Sequence, residues 1–563
     1  MTENARDPDA LLALVLHAHL PYVRHPEHED FLEERWFFEA VAETYLPLLR
    51  VFERLEDDGV DYGAALSLSP TLLAMFNDEL LRDRCARHLA AACRLADRQA
   101  DRRAGDPAFG PAARFHAGWY RDALHAYELR YRRDLAGAFG RLAAGGRLEL
   151  FTSAATHGLL PLLDAEPGAV AAQLRTGAEY FASVFGFRPE GLWLPECAYA
   201  EGLEREIAAA GFRYAFVDSH AVERANPAPR RGIHAPVAAP NGVLFFARDR
   251  ETSHQVWAAE VGYPGHPDYR EFYRDLGWEL PLEELGDFVV AGHIRTHTGL
   301  KYHRVTGPGE RKDPYDPARA RQVAADHAAD FQRNREKQAA WLRARLDRPA
   351  LVCAMYDAEL FGHWWFEGPW FLDYAFRRLA YDGDRVKALT PRRYLERFPD
   401  NQAAVPAASS WGKDGAFEFW RAEANADIWP GLHQAARRMR ERAEALLAGD
   451  AARVWRAVSA PEGGQGGLDD GREARILKQM MRELLLAQAS DWPFIIRTGT
   501  SPEYARRRLD GHLSRFWRLD GWLARGESFD VEARRMLAAY EEADRLFPDC
   551  DPRRYAAAPD ESE

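Results

Sequence analysis

The chain has 563 residues, 47% of them hydrophobic and 29% charged, with a net charge of −13. That length exceeds what one compact core supports, so two or three domains are expected. The acidic balance argues against a nucleic-acid partner, which would need a basic face. Five scattered cysteines, Cys85, Cys93, Cys197, Cys353 and Cys550, form no CxxC pair; they fit a reducing compartment and offer no thiolate zinc site.

In chain order, "MTENARDPDALLALVLHAH" has no basic leader and too short an apolar run for a signal or a membrane span, so a cytoplasmic setting is expected. Its apolar run ends in His17 and His19. "DYGAALSLSP" follows, and then an Ala-, Arg- and Leu-rich stretch with helical spacing. Further short apolar runs end in polar residues: "RLELFTSAATHG" in His157, "GLWLPECAY" in Glu196, "FRYAFVDSH" in Asp218, "GVLFFARDR" in Arg248 and "ALVCAMYDAEL" in Asp357. Strands alternating with helices predict an α/β domain with a parallel sheet or barrel. In such a barrel the C-terminal strand ends share one face, where chemistry is placed. One polar residue there merely begins a loop; the series favours a common site. After Trp411 amphipathic helices follow one another without strands. The predicted division is a barrel over 1–76 and 147–400, a helical insertion over 77–146, and a C-terminal helical domain over 401–555. "PEGGQGGLDDG" reads as a flexible loop and "AAAPDESE" as a frayed tail.

Glu196 follows Pro195 at a strand end, and Asp357 has a similar setting. Two acids at the ends of two strands are what a retaining glycosidase needs, at a separation of roughly 5–5.5 Å. Asp218 and Glu359 are rival carboxylates, and any of the four could be a structural hydrogen-bonder. His17 and His19, two apart, point to one face of a strand. They could begin a divalent metal site with His157, His254, His293, His297 or His363, hydrogen-bond sugar hydroxyls, or be structural. No Asp or His spacing completes a metal set, so sugar contact ranks above metal. Trp364, Trp365, Trp370, Trp411, Trp420, Trp429 and Trp492 stand near Gly or acidic residues and suit the flat face of a pyranose. Trp517 and Trp522 read as helix core. Trp411, between Ser and Gly, reads as an exposed platform.

"HAHLPY", "GRLELFTSAATHGLLPLL", "WLPECAY", "YDAELFGHWWFEG", "SWG" and "MRELLLAQASDWPF" occur in this order along nearly the whole chain. Together they resemble glycoside hydrolase family 57, and within it the α-1,4-glucan branching enzymes. The resemblance implies a distorted (β/α)7 barrel with a helical insertion and a C-terminal all-helical domain. It implies Glu196 as nucleophile and Asp357 as general acid/base. His17, His19 and His157 would line the donor subsite, and Arg248, Gly265, Trp411 and Asp491 would bind an α-1,4-glucan. No metal or organic cofactor is implied, nor a membrane. One departure stands out. Branching members carry a shielding tyrosine in the loop after the strand equivalent to "FVDSH"; here that loop reads "AVERANPAPRRGIHAP". Either His234 or another loop takes its place, or the balance shifts from branching to hydrolysis. The alternatives are an α-glucan hydrolase or 4-α-glucanotransferase of the same family, and a metal-dependent hydrolase built on His17 and His19.

Overall fold

The computed structural model describes residues 7–258, 261–447, 470–524 and 529–556. The Gly-rich 461–471 and the tail 556–563 lie almost wholly outside them. Seven parallel strands form the centre: β1 (Ala10–Ala18), β2 (Ala64–Leu68), β3 (Leu148–Ser153), β4 (Gly191–Trp193), β5 (Tyr214–Val217), β6 (Leu244–Ala247) and β7 (Ala350–Asp357). Their order is β7-β1-β2-β3-β4-β5-β6. The sheet curls until β6 meets β7, where Asp249 N–H donates to the Cys353 carbonyl at 2.8 Å. A short strand, Val237–Ala238, runs antiparallel to β6 and pairs with Gln402–Ala403. The result is a distorted (β/α)7 barrel.

Alternation along the strands builds two cores. Leu11, Ala13 and Val15 of β1 point inward to Phe151, Trp193, Phe216, Phe246 and Met355, while Leu12, Leu14 and Leu16 face the surrounding helices. Every residue of β1 is buried, which is why "ALLALVLHA" reads as one unbroken apolar run.

Between β2 and β3, after the helix Pro70–Asn77, lie three further α-helices, Glu79–Arg102, Gly110–His125 and Leu135–Ala144. Asp78 caps the first by accepting from Leu81 N–H at 2.9 Å, supplying a partner to one of the unpaired donors of a helix start. After Ala403 the described residues form no further strand; the long helices there are Ile428–Leu447, Asp470–Ala487, Pro502–Ala524 and Val531–Ala543. This helical part is stapled to the barrel mouth. Ser490 N–H donates to the His157 carbonyl at 3.0 Å, and the Gln173 amide reaches Gln488 at 3.1 Å. The staple brings the short helix Asp491–Thr498 over the strand ends. No described helix is long and apolar enough to cross a membrane.

Candidate active site

The strand ends converge. His17 sits beside Asp357 in the β1–β7 register and beside Ser67 in the β1–β2 register. Glu196 lies in the turn Pro195–Cys197 just after β4, with φ +60°; Cys197 and His157 also have positive φ, at +49° and +58°. Non-glycine residues there cost about 1–3 kcal/mol each and persist only when their surroundings hold them.

For Glu196 those surroundings are explicit. Trp411 Nε1–H donates to one carboxylate oxygen at 2.7 Å, and Ser490 Oγ lies 2.9 Å from the other. The Trp411 backbone N–H also bonds the Glu196 carbonyl at 3.0 Å. Trp411 is therefore half-buried, packed edge-on against Trp193 at 5.5 Å. The expectation of an exposed platform is corrected: its indole N–H is committed to the carboxylate.

A chain of hydrogen bonds leads to the same acid. Ser67 Oγ is 3.1 Å from His17 Nδ1, His17 Nε2 is 3.0 Å from His157 Nε2, and His157 Nδ1 is 2.9 Å from Ser490 Oγ. Donor arithmetic fixes its direction. An ionised Glu196 only accepts, so Ser490 gives it the hydroxyl proton and must accept from His157 Nδ1–H. His157 Nε2 is then bare and accepts from His17 Nε2–H, leaving His17 Nδ1 to accept from Ser67. Both imidazoles must be neutral for this. Burial, together with the neighbouring histidines, does hold His17 and His157 well below the usual histidine range. His19 differs. Burial opposes its charge, but Asp491 at 3.2 Å, with Glu359 and Glu196 beyond, outweighs burial and raises it.

Asp357 ends β7 only partly buried, and its carboxylate takes no hydrogen bond from a described residue. Burial first, and then the charge of Glu196, push it up to about 7, with Arg248 opposing. Burial likewise pushes Glu196 up to about 7, against the bonds from Trp411 and Ser490. Burial thus raises both carboxyls, and the charge of Glu196 adds to the rise of Asp357. The two donated hydrogen bonds favour the anion on Glu196; Asp357 has no such donor among the described residues, so of the two it is the better placed to hold a proton.

The rival carboxylates are occupied. Asp218 caps the helix Ser219–Glu223 and holds the His220 ring at 2.6 Å. Glu359 is buried, accepts from the Tyr45 hydroxyl and from His19 N–H, and is pushed up to about 8 by burial and then by Asp357. Arg248 binds Ser253 at 2.8 Å, approaches Asp218 at 3.7 Å, and lies over the Trp411 ring.

Other expectations fare unevenly. Gly265 belongs to the turn Tyr263–Gly265, and no hydrogen bond or ring contact among the described residues ties it to Glu196 or Asp357. Of the tryptophans read as suited to a pyranose face, Trp365, Trp420 and Trp492 are core residues, and only Trp364 of "GHWWFEGPW" is largely exposed. His234 is no shield; its ring turns to the Leu351 carbonyl at 3.4 Å, at the opposite end of β7 from Asp357. Both nitrogens of His17 are engaged, so a His17–His19 metal pair has no free lone pair on His17. His19, His157 and Asp491 do place ligating atoms within 4.8 Å of one another, but His157 already spends its lone pair on His17. Ser67, Ser69, Tyr45 and Ser490 were missed. "SLS" beside "HAH" in adjacent strands was the available signal for the first two: Ser69 Oγ is 3.0 Å from His19 Nδ1.

The profile described as glycosyl hydrolase family 57 matches residues 13–406, and that described as 1,4-alpha-glucan branching enzyme, C-terminal, matches residues 464–555. A probable 1,4-alpha-glucan branching enzyme of Mycobacterium tuberculosis is 31% identical over 98% of this chain and 99% of its own. Among solved structures, the alpha-amylase AmyC of Thermotoga maritima superposes with a TM-score of 0.87 at 36% identity, covering 98% of this chain and 99% of that one. The branching enzyme of Thermococcus kodakaraensis, in complex with glucose, superposes with a TM-score of 0.82 at 31% identity, covering 98% and 97%.

Proposed function

The chain belongs to glycosyl hydrolase family 57, and on that premise we propose that it is a 1,4-α-glucan branching enzyme acting through Glu196 and Asp357. One observation carries the pair: Glu196 accepts from Trp411 and Ser490, which favour its anion, while Asp357, which faces its charge, has no hydrogen-bond partner among the described residues. A nucleophile and a proton donor need that division.

The reaction is a double displacement. Glu196 attacks C1 of an α-1,4-linked glucose; the C1–O4 bond breaks, and the Asp357 proton passes to O4. A glucan 6-hydroxyl then attacks C1 and gives its proton to Asp357, and the C1–carboxylate bond breaks. Two inversions retain the α configuration. His19, Asp491, Arg248 and Trp411 border the pair and are assigned to substrate. His17 and His157, lining the same wall, act on Glu196 through Ser490. Gly265 is supported only by the resemblance of its turn. The natural substrate we assign is a glycogen-like polysaccharide, in the cytoplasm, where five free thiols persist.

Branching is supported by the C-terminal profile match and by the names of the relatives. A second reading, α-glucan hydrolysis, is favoured by the likeness to an alpha-amylase and by the tyrosine-free loop 221–236, since transfer requires that water be kept from the intermediate. Incubation with amylose separates them. Branching predicts new α-1,6 linkages in excess of new reducing ends; reducing ends without branches would establish hydrolysis.

A further inference from the structure

Seven residues beyond Asp357 the chain comes back to the surface at Trp364. The turn that takes it there is tight: at Gly362, with φ +126°, a Cβ would lie 1.8 Å from the Glu43 carbonyl oxygen. His363 is anchored to Glu43 at 2.9 Å and to Thr44 at 3.2 Å, and Trp364 is left 56% exposed. Its indole stacks on Phe272 at 4.6 Å, Phe272 approaches His297 at 6.3 Å, and His297 meets Trp278 at 4.4 Å. Tyr273, beside Phe272, is 78% exposed and Trp278 is 51% exposed. These rings form one continuous surface patch, of a kind that marks an interaction site on a soluble protein.

The patch is exposed but not loose. The Arg270 backbone N–H donates to Glu367 at 3.0 Å, pinning the segment that carries Phe272 and Tyr273. Asp275 accepts from the N–H groups of Gly277, Thr298 and Gly299, fixing Trp278 against the His297 segment. Rings held in place while open to water are prepared for a flat ligand. Beside them lie polar groups with unmet capacity. The Lys301 ammonium, on a side chain almost wholly buried, stands over the Phe272 ring at 4.0 Å and makes no hydrogen bond to a described residue. Glu39, amid His363, His297 and Lys301, makes none either. Rings for the C–H face of a pyranose and unsatisfied donors and acceptors for its hydroxyls occur together here.

We propose that Tyr273, Trp278, Trp364 and Phe272, with Lys301 and Glu39 at their edge, form a second α-glucan contact site that holds a chain reaching beyond the catalytic pair. The proposal rests on the α-glucan reading above and is connected to it in space. Glu359, behind His19, shares its segment with His363 and Trp364, and Tyr45, which bonds Glu359, follows Glu43 and Thr44 in sequence. A neutral polymer long enough to span both sites would gain affinity from the patch, and a short one would not.

The test compares wild type with Tyr273→Ala and Trp278→Ala, whose exposed side chains make folding insensitive to the change. Retardation in glycogen-containing native gels and the KM for amylose should each weaken about tenfold, the scale of one lost aromatic contact. The kcat on a short malto-oligosaccharide should stay at the wild-type value, and Trp278→Phe should restore most of the glycogen retardation. Unchanged retardation in both alanine variants of an active protein would overturn the proposal while leaving the catalytic reading intact. So would a wild-type dimer that these variants split, because the patch would then be a subunit interface. A wild type that neither cleaves nor binds any α-glucan would remove the catalytic reading itself, and this one with it.

Discussion

Two of the clusters that join histidine to carboxylates among the described residues, one in the helical part and one at the barrel mouth, are built to opposite ends. In the helical part, Glu483 accepts from His512 at 2.7 Å, from Arg515 at 2.8 Å and from Gln479 at 2.9 Å, and Arg515 also reaches Asp544 at 3.1 Å. Glu483 and His512 are wholly buried. An arginine, an amide and an imidazole take up the Glu483 oxygens, and the cluster is closed to solvent. At the barrel mouth, among the described residues, Glu196 has only neutral donors and Asp357 has none. Burial raises Glu483 as well, so a raised carboxyl by itself does not mark a reactive acid. Access, and hydrogen-bonding capacity left for a substrate, separate the two clusters.

The largest effect should come from the open cluster. Glu196→Gln and Asp357→Asn are each expected to lose turnover by about 10³-fold or more, measured as linkage formation on amylose. Neither should lose stability. A carboxyl raised in the folded state binds its proton there more tightly than in the unfolded chain, so it costs stability as pH rises from the ordinary carboxylate range towards 7 and above. Asp357→Asn lacks that cost and should melt no lower than wild type at pH 8; a marked drop would place Asp357 among the structural acids.

The closed cluster should respond the other way. Arg515→Met leaves Glu483 and Asp544 without their shared cation and should cost about 3–5 kcal/mol in denaturant unfolding, with kcat per folded molecule unchanged. Equal loss of activity and stability would erase the contrast between the clusters.

A finer test lies in Ser490→Ala, which removes one donor to Glu196 and ends the chain from Ser67. A hydrogen bond to a charged group contributes about 1.5–3 kcal/mol, so the Glu196 anion should become harder to form. Wild-type activity should be bell-shaped about a pH near 7, falling on the acid side as Glu196 gains a proton and on the alkaline side as Asp357 loses its own. In Ser490→Ala the acid limb should move to higher pH while the alkaline limb stays; an unmoved acid limb would remove Ser490 from the account.

The contrast also explains what the sequence could convey. Apolar runs ending in polar residues announced the strands and placed His17, His157, Glu196 and Asp357 on one rim, because parallel strands put their ends on one face. The partners that tune those residues come from far along the chain: Trp411 and Ser490 lie 215 and 294 positions from Glu196. No local pattern encodes that meeting. Trp365 and Trp492 misled for a related reason. Indoles beside Gly or Asp look alike in sequence whether the neighbouring turn leads outward, as at Trp364, or folds the ring into the core.

The central claim is that Glu196 carries the charge and Asp357 the proton. It is tested most directly by incubation with a slow-releasing fluorinated glucosyl fluoride, followed by digestion and mass spectrometry of the labelled peptide. The account predicts one glucosyl unit on Glu196, within "GLWLPECAY", and none in the Glu196→Gln variant. A label on Asp357 or Glu359, or turnover of this reagent with none trapped, would contradict it.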